Sequence, residues 1–329
     1  MPNLDIAIIG ATGLVGTTIL EVLENSHLEI HSLTLYASQR SAGKQVSFNG
    51  KKYEIIALDQ SLAQKSQHDI VLMSAGGNIS QEYAPIFVET GAFVIDNSST
   101  WRMSEQVPLV VPEVNPEAIT NKTKLIANPN CSTIQSVLAL KPIYDLFGIR
   151  RIVYNTYQSV SGSGWAGIED LQNDTALNYP YKIKHNVLPH IDDFLANGYT
   201  KEEVKMIEET QKIFANEHLK ITATTVRVPL ERTHAVAMNV ETKKKVNLDL
   251  LRRVYQNTSG IILLDDPKNN LYPLAEKAID TDEVYVGRLR EDASVEHGLD
   301  LWCVADNIRK GAASNTVQIA ELIIEKGLI

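Results

Sequence analysis

The sequence has 329 residues, of which 44% are hydrophobic and 22% are charged, and its formal net charge is −9. This length and composition predict a soluble globular protein with enough chain for two domains. The acidic balance argues against a broad basic face for nucleic acid or anionic membranes, although it allows a local basic pocket for a small anion.

Membrane insertion and export are not expected from the sequence. No apolar run approaches the ~18 residues of a membrane span. The opening segment, MPNLDIAIIG, has no cationic stretch before its apolar residues, so no signal peptide is predicted. Only two cysteines occur, Cys131 and Cys303, which argues against a disulfide framework. A cytoplasmic enzyme is therefore the prediction.

Short apolar strands alternate with helical patterns over the first hundred residues. A strand over Ile6–Ile9 turns through glycines into a helix with an apolar face that includes Val15, Ile19 and Val22. Further strands are predicted for HSLTLYAS, HDIVLMSAGG and AFVIDNSS. This alternation predicts a parallel α/β sheet, whose ligands bind beyond the carboxyl ends of its strands.

The segment GATGLVG places three glycines between the first strand and the first helix. Gly10 permits a tight turn, Gly13 lets the backbone approach a pyrophosphate, and Gly16 allows close helix packing. The spacing is GxxGxxG rather than GxGxxG, and a purely structural turn is the alternative. The predicted cofactor contacts of this loop are Gly10, Thr12, Gly13, Leu14 and Val15.

The end of the second strand indicates which dinucleotide binds. An NAD site places an acid there to bond the ribose 2′-hydroxyl, but YASQRSAGK contains none. Ser38, Arg40, Ser41 and Lys44 instead offer hydroxyls and positive charge, which suit a 2′-phosphate. NADP is therefore predicted, and a solvated basic turn is the alternative.

The pattern changes after about Cys131, where longer β-like runs and two charged helical stretches predict a mixed α+β domain. Cys131 itself precedes STIQSVLALKPIYDLF, a predicted helix with Ser132 or Thr133 as its cap. A thiol at a helix N-terminus has a lowered pKa and is a nucleophile as its thiolate. The alternative, a buried inert thiol, is the interpretation of Cys303 in LDLWCVAD.

Eight segments occur together in one order: GATGLVG, SAGG, DNSSTWRM, VPLVVPEVN, NPNCST, YQSVSGSG, VRVPLERTH and DNIRKGAA. As a set they resemble the aspartate-β-semialdehyde dehydrogenase family over nearly the whole chain. The resemblance implies reduction of L-aspartyl-4-phosphate with NADPH, which feeds lysine (through diaminopimelate), threonine, methionine and isoleucine synthesis. It also implies a homodimer or homotetramer that binds neither nucleic acid nor membranes.

The implied fold is α/β, with a Rossmann-like dinucleotide-binding domain and a catalytic and dimerisation domain of the glyceraldehyde-3-phosphate dehydrogenase type. The last helix, SNTVQIAELIIEKGLI, is expected to pack on the first domain. The predicted NADP-binding domain is therefore 1–131 with 312–329, and the predicted catalytic domain is 132–311.

The resemblance assigns three catalytic residues. Cys131 would displace phosphate and form a thioester. His234 would be the acid/base that removes the hydroxyl proton when the thiohemiacetal collapses. Gln158 would orient the acyl intermediate. Without the resemblance, an ordinary surface or core histidine is the favoured interpretation of His234, and a polar residue of a strand surface is the alternative for Gln158.

The resemblance also assigns binding residues. Arg102 and Lys205, with Asn130 beside them, would hold phosphate, and Arg227 would grip the α-carboxylate. Glu202 would take the substrate ammonium, with the adjacent Glu203 as an alternative; a surface ion pair with Lys205 is the structural reading. The remaining predicted cofactor contacts are Gly76, Ser161, Gly162 and Asn307.

Two other functions stay open at this point. N-acetyl-γ-glutamyl-phosphate reductase would share the thiol and the histidine, but its substrate gives no reason for a carboxylate such as Glu202. An NADP-binding regulator without activity would not need both Cys131 and His234. His185 and His190 lack acidic or thiol partners at ligand spacing, so no metal is predicted.

Overall fold

A computed structural model describes residues 3–329 of the chain. It divides into two compact units, the first ending at Pro129 and resuming at Ala312–Ile329, the second spanning Asn130–Gly311. The division falls two residues before the predicted boundary, so that Cys131 belongs to the second unit. Each unit is described by itself.

Within residues 3–129, the first unit is built on seven strands and three helices. The strands are β1 (Leu4–Ile9), β2 (Ile30–Ala37), β3 (Gln45–Phe48), β4 (Lys51–Ala57), β5 (Ile70–Met73), β6 (Phe93–Asp96) and β7 (Leu125–Ala127). The helices are α1 (Leu14–Glu24), α2 (Gln60–Lys65) and α3 (Gly77–Glu89). They confirm the predicted α/β class.

The sheet order in the first unit is β3-β4-β2-β1-β5-β6-β7, and every neighbouring pair except β3 with β4 is parallel. Nearly every side chain of β1, β5 and β6 is buried, because both faces of the sheet are covered; this accounts for the continuous apolar runs in the sequence. The β3–β4 hairpin was not predicted. Its turn is Asn49-Gly50, both with positive φ, which is a recognisable two-residue hairpin signal.

The second unit begins with a helix and contains six strands. Its helices are α4 (Cys131–Phe147), α5 (Gly164–Asn173), α6 (Lys201–Ile213), α7 (Leu248–Gln256) and α8 (Ala275–Ala278). Its strands are β8 (Ile149–Gln158), β9 (Lys220–Arg227), β10 (His234–Thr242), β11 (Ile261–Leu263), β12 (Val284–Glu291) and β13 (Gly298–Ala305). The sheet order is β11-β12-β13-β10-β8-β9.

Helix α4 is the centre of the second unit. It is buried on most sides and packs against β8, β10, β12 and β13, while α6 packs on β9 and α7 on β11 and β12. A helix that is buried nearly all round belongs to a core rather than to a surface, although the first turns of α4 carry buried polar residues, Ser132, Thr133, Gln135 and Ser136. The first residue of this central helix, Cys131, is therefore held by rigid neighbours.

The chain returns to the first unit through a π-helical turn at Arg309–Ala313 and ends in α9 (Ser314–Glu325). This helix packs on α1 and β6 and contributes Val317, Ala320 and Ile323 to the core of the first unit. The apolar side of this last helix is thus buried in the core of the first unit, as expected from the sequence.

Candidate active site

Strand register places three predicted site residues in one row across the sheet of the second unit. Arg227 ends β9 and pairs with Gln158 at the end of β8, which pairs with His234 at the start of β10. β8 and β9 are parallel and β10 runs against them, so these three positions meet at one end of the sheet. Residues far apart in sequence are thereby neighbours in space.

His234 is fully buried, and its ring is held from one side. Its Nδ1 accepts a hydrogen bond from the backbone N–H of Ser159 at 3.1 Å, and the Ser159 Oγ lies 3.1 Å from the same nitrogen. Burial, and then the positive charge of Arg227, lower the pKa of His234 to about 3. Its Nε2 has no hydrogen-bond partner among residues 3–329. The ring therefore presents one nitrogen to the site in its neutral form.

Ser161 and Asn307, which are both predicted to contact the cofactor, lie on the Nδ1 side of His234, where each is hydrogen-bonded to Ser159. Asn307 Oδ1 accepts hydrogen bonds from the Ser159 hydroxyl at 3.1 Å and from the Thr233 N–H at 2.9 Å, while its Nδ2 donates to Ser161 Oγ at 3.0 Å. Thr233 has φ +73°, an unfavourable conformation for a β-branched residue, directly before His234. The Asn307 side-chain amide thus stabilises the backbone conformation of Thr233, the residue directly before His234. Contact of Ser161 and Asn307 with a cofactor stays a prediction.

Cys131 is the first residue of α4, and Asn130 is its cap. The Asn130 side-chain oxygen accepts hydrogen bonds from the backbone N–H groups of Ser132 (2.9 Å) and Thr133 (3.3 Å). The prediction that Ser132 or Thr133 caps the helix is therefore wrong, because asparagine precedes them and is at least as good a cap. Cys131 is partly exposed, at the positive end of the helix dipole.

Carboxylate side chains on one face of helix α6 accept hydrogen bonds from the segment that carries Cys131. Glu202 is buried, and its Oε1 accepts hydrogen bonds from Asn130 Nδ2 at 2.9 Å and from Gln158 Nε2 at 3.2 Å. Its Oε2 lies 3.3 Å from Lys205 Nζ. Burial by itself raises the pKa of Glu202, but the Lys205 charge and these two amides outweigh it and hold the pKa below its usual value. Glu202 thereby links Asn130, beside Cys131, to Gln158, the middle residue of the row formed by Arg227, Gln158 and His234.

Glu203 has a different environment from Glu202. One of its oxygens accepts the Thr200 N–H at 2.8 Å in a capping box, and the other accepts the Thr225 N–H at 3.1 Å. Both oxygens thus bond backbone groups, which is a structural role. Of the two alternatives, Glu202 is the one beside Asn130 and Gln158.

Sequence reasoning missed Glu209, two turns beyond Glu202 on α6. Its buried carboxylate accepts the backbone N–H of Asn130 at 2.7 Å. A spacing of seven residues places both carboxylates on one helix face, and this was the available signal. Two acidic residues of one helix therefore fix the cap that precedes Cys131.

Two cations predicted to bind phosphate are each held by neighbours within their own unit. Lys205 Nζ pairs with Asp192 at 2.7 Å. In the first unit, Arg102 donates from Nε to the Asn128 carbonyl at 2.9 Å and from an Nη to the Asn97 carbonyl at 2.8 Å. These carbonyls follow β7 and β6, so Arg102 is fixed at the carboxyl end of the sheet.

Arg227 is buried with 4% of its surface exposed. One Nη donates to the Ser159 carbonyl at 2.6 Å, and its Nε has no hydrogen-bond partner among residues 3–329. A buried guanidinium with an unpaired donor is suited to an anionic ligand that accepts from it. The predicted residue Gly162 leaves room for this group, since a Cβ there would lie 2.8 Å from Arg227 Nη1.

We expect Gly162→Ala to reduce catalysis more than stability. The added methyl would meet Arg227 Nη1 at 2.8 Å and His234 Nε2 at 3.4 Å, so that both groups must shift within the site. A displacement of this size in an active site costs up to about 10²-fold in kcat/KM. Steady-state kinetics and a thermal melt check it: near-normal kcat/KM in a folded variant would show that the site tolerates the methyl.

The glycine loop in the first unit borders a cleft of about 290 Å³ at the carboxyl ends of β1, β2 and β5. Gly10 has φ +87°, and a Cβ on Gly16 would lie 2.2 Å from the Gly10 carbonyl, so both glycines are required by the turn and by helix packing. Thr12 Oγ1 lies 3.3 Å from Ser41 Oγ. The cleft is lined by Ile9, Gly10, Thr12, Gly13, Ala37, Ser38, Leu58, Ser74, Ala75, Ile79 and Tyr83.

The other predicted cofactor residues lie around the same loop. Leu14 and Val15 open α1, Gly76 is the residue before α3 with open space around its Cα, and Arg40 is exposed in the turn after β2. Sequence reasoning did not identify the apolar lining from Leu58, Ile79 and Tyr83. Ile79 and Tyr83 are four residues apart on α3, a spacing that places them on one helix face, whereas Leu58 follows β4 and has no spacing relation to them.

The described part of the chain has neither a cluster of metal ligands nor a membrane-spanning helix. Within residues 3–329, no group of three or more His, Cys, Asp or Glu side chains could hold a metal ion. No helix in the same range is both long and apolar enough to cross a membrane.

Comparison with known proteins gives consistent matches for both units. Residues 5–122 match the family model described as semialdehyde dehydrogenase, NAD binding domain, and residues 140–310 match semialdehyde dehydrogenase, dimerisation domain. The aspartate-semialdehyde dehydrogenase of Aquifex aeolicus is 52% identical, covering 98% of this chain and 99% of the relative.

Solved structures give the same result. Aspartate semialdehyde dehydrogenase II from Vibrio cholerae has a TM-score of 0.92 at 48% identity, covering 98% of this chain and 99% of that one. A second structure of the Vibrio cholerae enzyme, described as complexed with ASA, has a TM-score of 0.92 at 47% identity and covers 99% of both chains.

Proposed function

The chain belongs to the aspartate-semialdehyde dehydrogenase family, and from this we propose that it reduces L-aspartyl-4-phosphate to L-aspartate-4-semialdehyde with NADPH and releases phosphate. The product would supply lysine, threonine, methionine and isoleucine synthesis. The observation that carries the proposal is the buried set in which Asn130, beside Cys131, is joined through Glu202 to Gln158, in one row with Arg227 and His234.

Cys131 is the proposed nucleophile. Its sulfur attacks the acyl carbon, phosphate leaves, and a thioester forms on the protein. The Asn130 cap and the Glu209 carboxylate keep the start of α4 in place, so that the sulfur is oriented before the substrate arrives. Gly311 adds to this, since a Cβ on it would lie 2.8 Å from the Cys131 Cβ; only glycine leaves this space to the thiol.

The substrate is held by charges of both signs. We assign Arg227 to the α-carboxylate, because its buried Nε is unpaired within the described residues, and Glu202 to the ammonium, because its carboxylate stays ionised beside Lys205. Lys205, Arg102 and Asn130 are the proposed phosphate ligands. His234 and Gln158, which are paired on the neighbouring strands β10 and β8, are the proposed contacts of the reacting carbonyl group.

NADP is the proposed cofactor, and the residues of the first unit fit it. The cleft offers a glycine loop at the start of α1 for the pyrophosphate, apolar walls from Leu58 and Tyr83 for the adenine, and an exposed Arg40 after β2 for a 2′-phosphate. When bound, the reduced form supplies the hydride that the thioester carbon accepts.

Arg40→Ala should weaken NADPH selectively. The arginine is exposed in the turn after β2, where the 2′-phosphate is predicted to bind, and a charge-assisted hydrogen bond contributes about 1.5–3 kcal/mol. We therefore expect the KM for NADP to rise roughly 10- to 100-fold, with the KM for NAD unchanged. Lys65→Ala, a matched loss of charge on α2, is the control. Equal effects of Arg40→Ala on both cofactors would contradict the assignment.

The same family match supports a homodimer in the cytoplasm. The region that matches the dimerisation model includes exposed apolar side chains, with Leu177 85% and Tyr181 67% exposed, and such side chains commonly mark a protein interface. Neither Cys131 nor Cys303 forms a disulfide, which is typical of proteins in a reducing compartment.

The activity is tested in the reverse direction with aspartate semialdehyde, phosphate and NADP. We expect phosphate-dependent formation of NADPH, slower with NAD. Activity with N-acetylglutamate semialdehyde alone would replace this proposal by the related acyl-phosphate reductase, and cofactor binding without turnover would exclude both.

A further inference from the structure

Residues 174–200, which the structure describes in full, form neither helix nor strand between α5 and α6, yet their first part is firmly held. Asp170 on α5 is buried. Its carboxylate accepts hydrogen bonds from Thr175 Oγ1 at 2.6 Å and from the backbone N–H groups of Leu177 (3.0 Å) and Asn178 (2.7 Å). A carboxylate with three such donors fixes the path of the chain. The next residue, Tyr179, is therefore presented in a defined direction.

The same segment is tied further along to the strand that carries Arg227. Leu188 is buried, and its backbone N–H and C=O exchange hydrogen bonds with the backbone of Arg227 at 2.9 and 2.8 Å. Ile183, between the two attachment points, is fully buried. Residues 174–188 therefore pass the end of β9 in a fixed conformation, beside the arginine that is assigned to the α-carboxylate.

Tyr179 contacts its surroundings with both parts of its side chain. The face of its ring is turned to the Arg227 guanidinium, whose central carbon lies 5.9 Å from the ring centroid, within the range of a cation–π interaction. The Tyr179 hydroxyl lies 3.0 Å from Ser163 Oγ and 3.4 Å from the Val160 carbonyl oxygen. The ring is thus held between the arginine and the helical turn Val160–Ser163 that follows β8.

The position of Tyr179 is built into its neighbours. Gly167 on α5 leaves the room that the tyrosine needs, because a Cβ there would lie 2.6 Å from the Tyr179 hydroxyl oxygen and 2.3 Å from the Val160 carbonyl oxygen. Ser159, directly before the same turn, accepts the Arg227 Nη1 hydrogen bond at 2.6 Å. Tyr179 and Arg227 are therefore both attached to residues 159–163.

A ring in this place affects what Arg227 can bind. The guanidinium is buried, and its Nε has no hydrogen-bond partner among residues 3–329. The electron-rich face of the ring attracts the cation and keeps water from that side of it. Because charge pairs are stronger where water is excluded, a carboxylate bound by Arg227 gains from the ring, whereas the aldehyde and ammonium groups of the substrate do not.

We propose that Tyr179 is a positioning residue for carboxylate recognition, whose ring holds the Arg227 guanidinium in the orientation that binds the α-carboxylate of the substrate. The inference rests on the proposed function, in which Arg227 binds that group. It adds a residue from the irregular segment between α5 and α6, and it confines the effect of that residue to substrates that carry the carboxylate.

Two variants test this role in steady-state kinetics. Tyr179→Phe keeps the ring, whereas Tyr179→Leu keeps an apolar side chain without it. Loss of a cation–π interaction at a buried cation corresponds to roughly 5- to 30-fold in binding. We therefore expect Tyr179→Leu to raise the KM for aspartate semialdehyde by this factor with kcat within about 2-fold, and Tyr179→Phe to stay within about 2-fold of wild type in both parameters.

A substrate analogue separates carboxylate recognition from general damage to the site. On 3-aminopropanal, which lacks the α-carboxylate, Tyr179→Leu and wild type should have equal kcat/KM. Equal losses on both aldehydes, a KM that rises as much in Tyr179→Phe as in Tyr179→Leu, or an unchanged KM in Tyr179→Leu would each overturn the proposal. Thermal melts of the variants establish that the compared enzymes are folded.

Chemical labelling tests the same contact without turnover. Phenylglyoxal modifies accessible arginines, and mass spectrometry of the peptide that contains Arg227 measures its rate in enzyme free of substrate. We expect slow labelling in wild type and in Tyr179→Phe, and several-fold faster labelling in Tyr179→Ala. Equally slow labelling in Tyr179→Ala would show that the ring does not cover Arg227. Failure of the proposed function is a different result, namely wild-type enzyme without phosphate-dependent reduction of NADP.

Discussion

Cys131→Ser is expected to abolish turnover while leaving cofactor binding intact. A serine hydroxyl at this position is not ionised near neutral pH and cannot form the thioester, so kcat should fall by about 10⁴-fold or more. The glycine loop and its cleft belong to the first unit, whereas Cys131 belongs to the second. NADPH affinity, measured by fluorescence titration, should therefore change less than about 2-fold, well under 1 kcal/mol.

The second cysteine provides the matched control. Cys303 is fully buried on β13, and burial raises the pKa of its thiol, so it is unreactive. Cys303→Ala should keep kcat and retain one iodoacetamide-reactive thiol, which Cys131→Ser should lack. Residual activity above about 1% of wild type in Cys131→Ser would refute the nucleophile assignment, because removal of a covalent catalyst costs far more.

The fold class was predictable because its signals are local. Buried parallel strands give continuous apolar runs, and the glycine spacing between β1 and α1 marks the dinucleotide loop; the family comparisons confirm the α/β class. The β3–β4 hairpin was overlooked although Asn49-Gly50 indicates it. Its strands are short and mostly polar, so their alternation is weak.

The candidate site shows where sequence reasoning ends. Its residue types could be assigned through the family resemblance, which the comparisons confirm. Their arrangement could not, because it depends on strand register: Arg227 and His234 are neighbours only through Gln158 on the strand between them. No local pattern encodes pairing between strands so far apart in the chain.

Positioning residues were the hardest to predict. Asn307 contacts Ser159 across 148 positions of sequence, and both are small polar residues that are usually found at turns. The cap of α4 was misassigned for a different reason, since NPNCST contains four residues that can cap a helix, two asparagines, a serine and a threonine, and only the helix start distinguishes them. Glu209, by contrast, could have been found by extending the α6 face from Glu202 by two turns.

Arg227→Lys is expected to lower kcat/KM for aspartate semialdehyde by about 10²–10³-fold, mainly through KM. The guanidinium bonds the Ser159 carbonyl with one Nη and has further donors in a fixed plane for a carboxylate. Lysine keeps the charge near His234 but cannot make both contacts, and losing a bidentate charged interaction costs about 2–4 kcal/mol. The control is Arg252→Lys, which should be kinetically normal; Arg252 lies on α7 and pairs with Asp265.

A substrate without the α-carboxylate identifies what Arg227 binds. 3-Aminopropanal keeps the aldehyde and the ammonium of aspartate semialdehyde but lacks the carboxylate. If Arg227 grips that group, wild-type enzyme should lose about as much kcat/KM on this analogue as Arg227→Lys loses on the true substrate, and the variant should barely distinguish the two aldehydes. A variant that still prefers aspartate semialdehyde by 10²-fold would show that another cation binds the carboxylate. Arg227 would then act on the site only through the Ser159 carbonyl that it bonds.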